Sequence, residues 1–156
     1  MEIVKKDTNK KSSIVLIPDH CPNPAMINEF QTAFFTFRVN RLELVEKELC
    51  GYEISPEAQY LVADIAIRNN TNEILSMFKG DFLIAFDKEA PFEAEDYFGV
   101  DHQLPNEYAL KPNEKISGKL VYIIARGASK ISIRYTEYFE DDTQGKTYRL
   151  KYRLKE

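Results

Sequence analysis

The sequence predicts an all-β protein, an immunoglobulin-like antiparallel sandwich of seven to nine strands. Three observations carry that expectation. Short apolar runs alternate with polar residues at a period of two, as in Leu61, Ala63, Ile65 and Ile67 of Tyr60–Ile67. Turn residues punctuate the chain at regular spacing, as in Asn69-Asn70-Thr71-Asn72 and Pro112-Asn113. No segment carries a convincing helical pattern, and Tyr and Phe are abundant at nine and ten residues, a composition that suits pleated surfaces.

The elements follow in order. Residues 1–13 are polar and lysine-rich and read as a flexible tail, leaving 14–156 as the single folded domain. Ser12–Ile17 is expected to form a short edge strand that Pro18 stops. Pro22 and Pro24 break the following connector, and Ala25–Gln31 is expected to hold one helical turn. Ala33–Val39 alternates, but Leu42 and Leu44 fall on the opposite parity, which predicts a bulge near Asn40-Arg41. Tyr60–Ile67, Asp81–Phe86 and Lys119–Ala125 read as further strands. Lys130–Thr136 and Thr147–Leu154 alternate most cleanly. They place Ile131, Ile133, Tyr148, Leu150 and Tyr152 inward and Arg134, Arg149, Lys151 and Arg153 outward. A polar tip from Glu140 to Gly145 joins them.

One link stands out. Residues 87–113 contain four of the prolines and glycines that break structure (Pro91, Gly99, Pro105, Pro112) and are expected to cross one end of the sheets. Phe92, Tyr97, Phe98 and Tyr108 lie in it and are the candidate interaction surface, since loops on a rigid sandwich are where binding concentrates. Its acidic residues Asp87, Glu89, Glu93, Glu95, Asp96 and Asp101 leave room for weak calcium binding within 87–101, although their spacing fits no EF-hand.

The order of these elements resembles a known family. It runs from the Phe35–Val39 strand to one ending in Arg68-Asn69-Asn70-Thr71, then Asp81-Phe82. Leu110-Lys111-Pro112-Asn113-Glu114 follows before Gly118-Lys119-Leu120-Val121-Tyr122, then Ile131–Tyr135 and Thr147-Tyr148. Over residues 33–154 the chain is similar to the bacterial immunoglobulin-like domains of unknown function. Many of those are lipoproteins or secreted proteins of Gram-positive bacteria, with a sandwich like that of the mycobacterial immunoprotective antigen. The resemblance implies a fold and brings no catalytic residues with it.

Other chemistries are poorly supplied. With 21 basic against 25 acidic residues and a net charge of −4, a nucleic-acid partner is not expected. No apolar run approaches the roughly 20 residues of a membrane span, and none near the start matches a secretory leader. A cytoplasmic location is therefore expected, to be replaced by an extracellular or cell-surface one if a leader precedes the sequence. Cys21, Cys50, His20 and His102 lack zinc-site spacing. A Cys21–Cys50 bridge and two free thiols both remain open. A nucleophile paired with a base is not evident, and no catalytic, cofactor or metal residues are assigned. The expected role is a non-enzymatic interaction module that engages a protein or peptide through the 87–113 loop or a sheet edge. The alternatives are a small hydrolase using loop carboxylates and a self-associating structural component.

Overall fold

A computed structural model describes residues 12–13, 17–18, 28–139 and 141–154. In chain order the strands are β1 (Ser12–Ser13), β2 (Ile17–Pro18), β3 (Glu29–Gln31), β4 (Phe35–Val45), β5 (Glu48–Leu49), β6 (Tyr52–Glu53) and β7 (Ala58–Asn69). They continue with β8 (Leu75–Phe78), β9 (Leu83–Phe86), β10 (Glu107–Leu110), β11 (Lys115–Ala125), β12 (Lys130–Tyr138) and β13 (Gln144–Arg153). The one helical element among the described residues is a 3-10 turn at Lys79–Asp81.

Two antiparallel sheets face each other. One has five strands in the order β1-β4-β7-β11, with β3 also on β4; the other has four, β2-β13-β12-β9. The long strands thus alternate between layers, β4 and β7 in the first, β9 in the second, β11 back in the first, then β12 and β13 in the second. That is Greek-key connectivity, and the protein is an all-β sandwich. Two small ladders, β8–β10 and β5–β6, are added to it.

The alternation read from the sequence sets the core. Leu61, Ala63, Ile65 and Ile67 of β7 are all fully buried between the sheets. Phe35 and Phe37 of β4 meet Phe82, just before β9, with ring centroids 5.7 and 4.4 Å away. The hydroxyl of fully buried Tyr122 on β11 donates to the Phe82 carbonyl at 2.8 Å and so ties one layer to the other. The parity slip after Val39 is resolved as expected, since the β4–β7 register shifts between Val39 and Arg41.

Two local expectations change. The two ends of Ser12–Ile17 do not lie in one strand: Ser12 pairs with Leu44 in the first sheet and Ile17 with Arg153 in the second. Glu29–Gln31, expected within a helical turn, is instead β3, antiparallel to Thr36–Arg38. Phe30 explains the change. Its ring is buried and stacks on Phe37 at 5.0 Å and Tyr148 at 5.2 Å, so tertiary packing decides the conformation of three residues whose local preference is weak. The rest of that expected turn, 25–27, lies outside the described residues, as do Cys21 and His20.

Candidate functional site

The 87–113 connection runs along the edges of both sheets rather than across an end. Phe92 exchanges both backbone hydrogen bonds with Ile84, at 2.9 and 3.0 Å, which adds a rung to the exposed edge of β9. Glu95 N then donates to Val121 O at 2.7 Å, and Leu104 N and His102 O bond to Lys119 at 2.9 and 2.8 Å along the edge of β11. The unpaired edges that would otherwise template another strand are thereby occupied. Gly118 makes the approach feasible, because a Cβ there would meet Leu104 Cδ2 at 2.7 Å and the His102 carbonyl at 2.8 Å. Residues 107–110, expected as loop, form β10, paired with β8 from Glu107↔Phe78 to Leu110↔Leu75.

A buried glutamine shapes the tip of this connection. Gln103 Oε1 accepts from the backbone N–H groups of Phe98, Gly99 and Val100 at 3.1, 3.1 and 3.2 Å. Nothing in the local sequence marks Gln103 as a structural residue; only the fold brings these donors to it. The turn so formed lays Val100 and Phe98 over the outer face of the five-stranded sheet, where they join Val45, Tyr60, Val62 and Val121 in a second apolar cluster. Phe98 is clamped edge-on by Tyr52 of the β5–β6 hairpin at 5.1 Å, and Tyr60 donates its hydroxyl to Tyr52 O at 2.9 Å.

The four candidate aromatics are therefore not gathered into one surface. Phe92 packs on Phe86 at 5.9 Å, Phe98 lies in the second cluster, and Tyr108 packs against the main core. Only Tyr97 stands exposed, at 55% of its surface. Its backbone N–H donates to Asn106 Oδ1 at 2.9 Å, and Asn106 O accepts from Lys79 N at 2.9 Å. Asn106 thus fixes Tyr97 near the start of the 3-10 turn, whose preceding residue, Phe78, is 46% exposed.

The loop carboxylates are dispersed. Asp87 Oδ1 accepts from Ser129 N and Lys130 N, at 3.0 and 3.1 Å, and Glu93 and Asp96 pair with Lys79 Nζ at 2.8 and 3.4 Å. Among the described residues no group of three or more His, Cys, Asp or Glu side chains could hold a metal ion, so the room left for calcium in 87–101 is not met by this geometry. Cys50 is a free, exposed thiol in the β5–β6 turn and His102 an exposed residue of the 101–104 turn. Neither forms a catalytic pair with the other groups described. No described helix is long and apolar enough to cross a membrane.

The outer face of the four-stranded sheet differs in character. The β12–β13 register places Lys130 opposite Arg153, Ser132 opposite Lys151, Arg134 opposite Arg149 and Thr136 opposite Thr147. Arg134 Nε donates to Ser132 Oγ at 2.9 Å, and the two threonine hydroxyls are 2.9 Å apart. Burial and the neighbouring Arg149 charge lower the Arg134 pKa. A concavity of about 390 Å³ lies over this ladder, walled by Asp81, Pro91 and the 61% exposed Tyr138. A second concavity, of about 450 Å³, lies on the opposite sheet between Glu29, Arg38 and Arg68, where Arg38 is ion-paired to Glu29 at 3.4 Å.

Several buried groups carry shifted pKa values. Burial raises that of the Asp81 carboxyl, offset in part by the bond that its Oδ2 accepts from Phe78 N at 2.8 Å. Burial, with Asp81 nearby, raises Tyr108 as well, and its hydroxyl is buried without a hydrogen-bond partner. Tyr135 is pushed up to about 12, first by burial and then by Asp81. Glu137 behaves oppositely. Burial would raise it, but hydrogen bonds from Ala33 N, Lys146 N and the Tyr148 hydroxyl hold it below the ordinary glutamate value.

Residues 28–147 match the family described as a domain of unknown function, DUF4352, and the chain belongs to that family. None of the curated proteins matches the chain. Among solved structures it is similar to ycdA of Bacillus subtilis, classed provisionally as a lipoprotein, with 14% identity and a TM-score of 0.61 over 78% of this chain. The chain spans only 38% of that protein's length. It is also similar to the yjhA protein of Bacillus subtilis, at 18% identity and TM-score 0.60, over 78% of this chain and 94% of the other. A functionally unknown protein from Listeria monocytogenes is 13% identical with TM-score 0.55, over 91% of this chain and 86% of the other. At these identities the likeness establishes the shared sandwich.

Proposed function

We propose that this chain is a non-enzymatic binding module with an immunoglobulin-like sandwich, and that the 87–113 connection presents its protein- or peptide-binding surface. The strand order supports the immunoglobulin-like reading: β4-β7-β11 and β13-β12-β9 correspond to strands A-B-E and G-F-C of that fold.

The observation that carries the binding reading is Tyr97. It is an exposed aromatic on a connection pinned to both sheet edges, and Asn106 Oδ1 holds its backbone N–H in place. An aromatic anchor with few rotatable bonds on a rigid support loses little entropy on binding, which is the usual chemistry of an interface centre. Phe92, Phe98 and Tyr108 contribute by stiffening the support.

The test is photo-crosslinking in the native cell, with a photoreactive phenylalanine analogue at position 97 and, as control, at position 52. Tyr52 is equally exposed at 56% but clamps the loop. A discrete adduct from position 97 and not from position 52 is the expected result. No adduct from 97, or identical adducts from both positions, would overturn the assignment.

A further inference from the structure

The geometry points to a second, chemically distinct site on this protein: a pocket for a small organic phosphate on the outer face of the four-stranded sheet, held by Arg134 and Arg149. The two arginines are direct cross-strand partners. Like charges placed opposite each other on a sheet oppose folding, so the pair is a cost that the scaffold carries. Among the described residues, neither guanidinium has a carboxylate within ion-pairing distance, in contrast to Arg38 and Arg126, which have Glu29 and Glu46. Lys151 and the Lys130–Arg153 pair extend the positive charge along the same face of a protein whose net charge is −4.

The arrangement suits a phosphate better than a lone carboxylate. Two adjacent planar forks offer more N–H donors than the two oxygens of a carboxylate can use, whereas a phosphate monoester presents three anionic oxygens. Arg134 is already oriented, with Nε bonded to Ser132 Oγ and the chain half-buried, so little freedom remains to be lost. The carboxyl of Asp81 lines the same concavity, but its Oδ2 is occupied by Phe78 N. Next along the ladder, the Thr136 and Thr147 hydroxyls are bonded to each other, which leaves one O–H to donate and lone pairs on both oxygens to accept, and this suits the hydroxyls of a polyol. Tyr138 and Pro91 wall the concavity, and about 390 Å³ is the volume of a small-ligand site. This site lies apart from Tyr97 and does not depend on the loop reading.

The full chain is titrated at low salt and pH 7 with sn-glycerol 3-phosphate, inorganic phosphate, glycerol and phosphatidylglycerol vesicles, following backbone amide NMR shifts. The ester is expected to shift the amides of residues 134–136 and 147–149 saturably, with half-saturation at ~0.1–1 mM, a range typical of a small, solvent-open polar site. Glycerol is expected to have no effect. Arg134→Gln and Arg149→Gln are each expected to weaken binding at least tenfold, and Arg38→Gln to leave it unchanged. Both variants remove a like-charge contact and should melt at or above the wild-type temperature, so lost binding cannot be attributed to unfolding. An absence of saturable shifts, or binding that survives both substitutions, would overturn the site. Equal affinity for inorganic phosphate and the ester would overturn its assignment to an organic phosphate. Vesicle binding without a response to the soluble ester would overturn it in favour of a membrane surface.

Discussion

The outer face of the five-stranded sheet is half roofed by a separate segment of chain, whereas that of the four-stranded sheet carries a row of cations beside a concavity walled by Asp81, Pro91 and Tyr138. On the first, Val62 and Val121 lie buried beneath Val100, Phe98 and the β5–β6 hairpin. On the second, the outward positions of β12 and β13 hold the cations Lys130, Arg134, Arg149, Lys151 and Arg153 together with Ser132, Thr136 and Thr147. The difference follows from composition. Outward valines and a tyrosine on β4, β7 and β11 need a cover, and the 87–113 connection supplies it; outward cations need water or an anion. A covered face reports on stability, and a charged one is free to report on recognition.

The sharpest way to break the comparison is to loosen the connection that carries the cover. Leu104 is 5% exposed and packs in the main core from the connection itself, so Leu104→Ala is expected to lose about 2–5 kcal/mol, read by urea unfolding. A loss below about 1 kcal/mol would mean that the connection is an appendage. Gly118→Ala probes the same contact from the strand side. Its new methyl group would meet a backbone carbonyl that cannot swing away, and an expected cost of about 1–3 kcal/mol should be accompanied by faster exchange of the Leu104 amide.

A smaller effect of opposite sign is expected at Tyr108. Its hydroxyl is buried and unpartnered, so Tyr108→Phe should raise stability by about 1 kcal/mol. A destabilised variant would show that the hydroxyl is in fact bonded. The smallest effect concerns acid. Glu137 has a folded-state pKa below its unfolded value, so its contribution is complete above roughly pH 4.3 and declines as pH falls through the lower folded value. The stability gap between wild type and Glu137→Gln should therefore narrow in acid, measured by urea midpoints from neutral pH to below that window. A constant gap would remove Glu137 from the acid response.

Much of the scaffold was legible because it depends on periodicity. The Val39–Arg41 bulge followed from a parity slip, and β7, β12 and β13 from alternation. What escaped was short or non-local. β8 and β10 have four residues each, too few to show a period, and they exist because they pair with each other. Gln103 became structural only through three backbone donors that the loop folds back to it. The Arg134–Arg149 pairing escaped for a related reason. Alternation marks both as outward, but the register shift between Thr136 and Tyr138 decides which outward cations meet, and that shift is not written in the hairpin tip.

Amide hydrogen exchange on the connection tests the roof most directly. If 87–106 is an integral cover that presents Tyr97 rigidly, the amides of Phe92, Glu95 and Leu104, bonded to Ile84, Val121 and Lys119, should exchange as slowly as those in the centre of β11. Exchange of these three at the rate of an unstructured loop, with β11 still protected, would contradict the account.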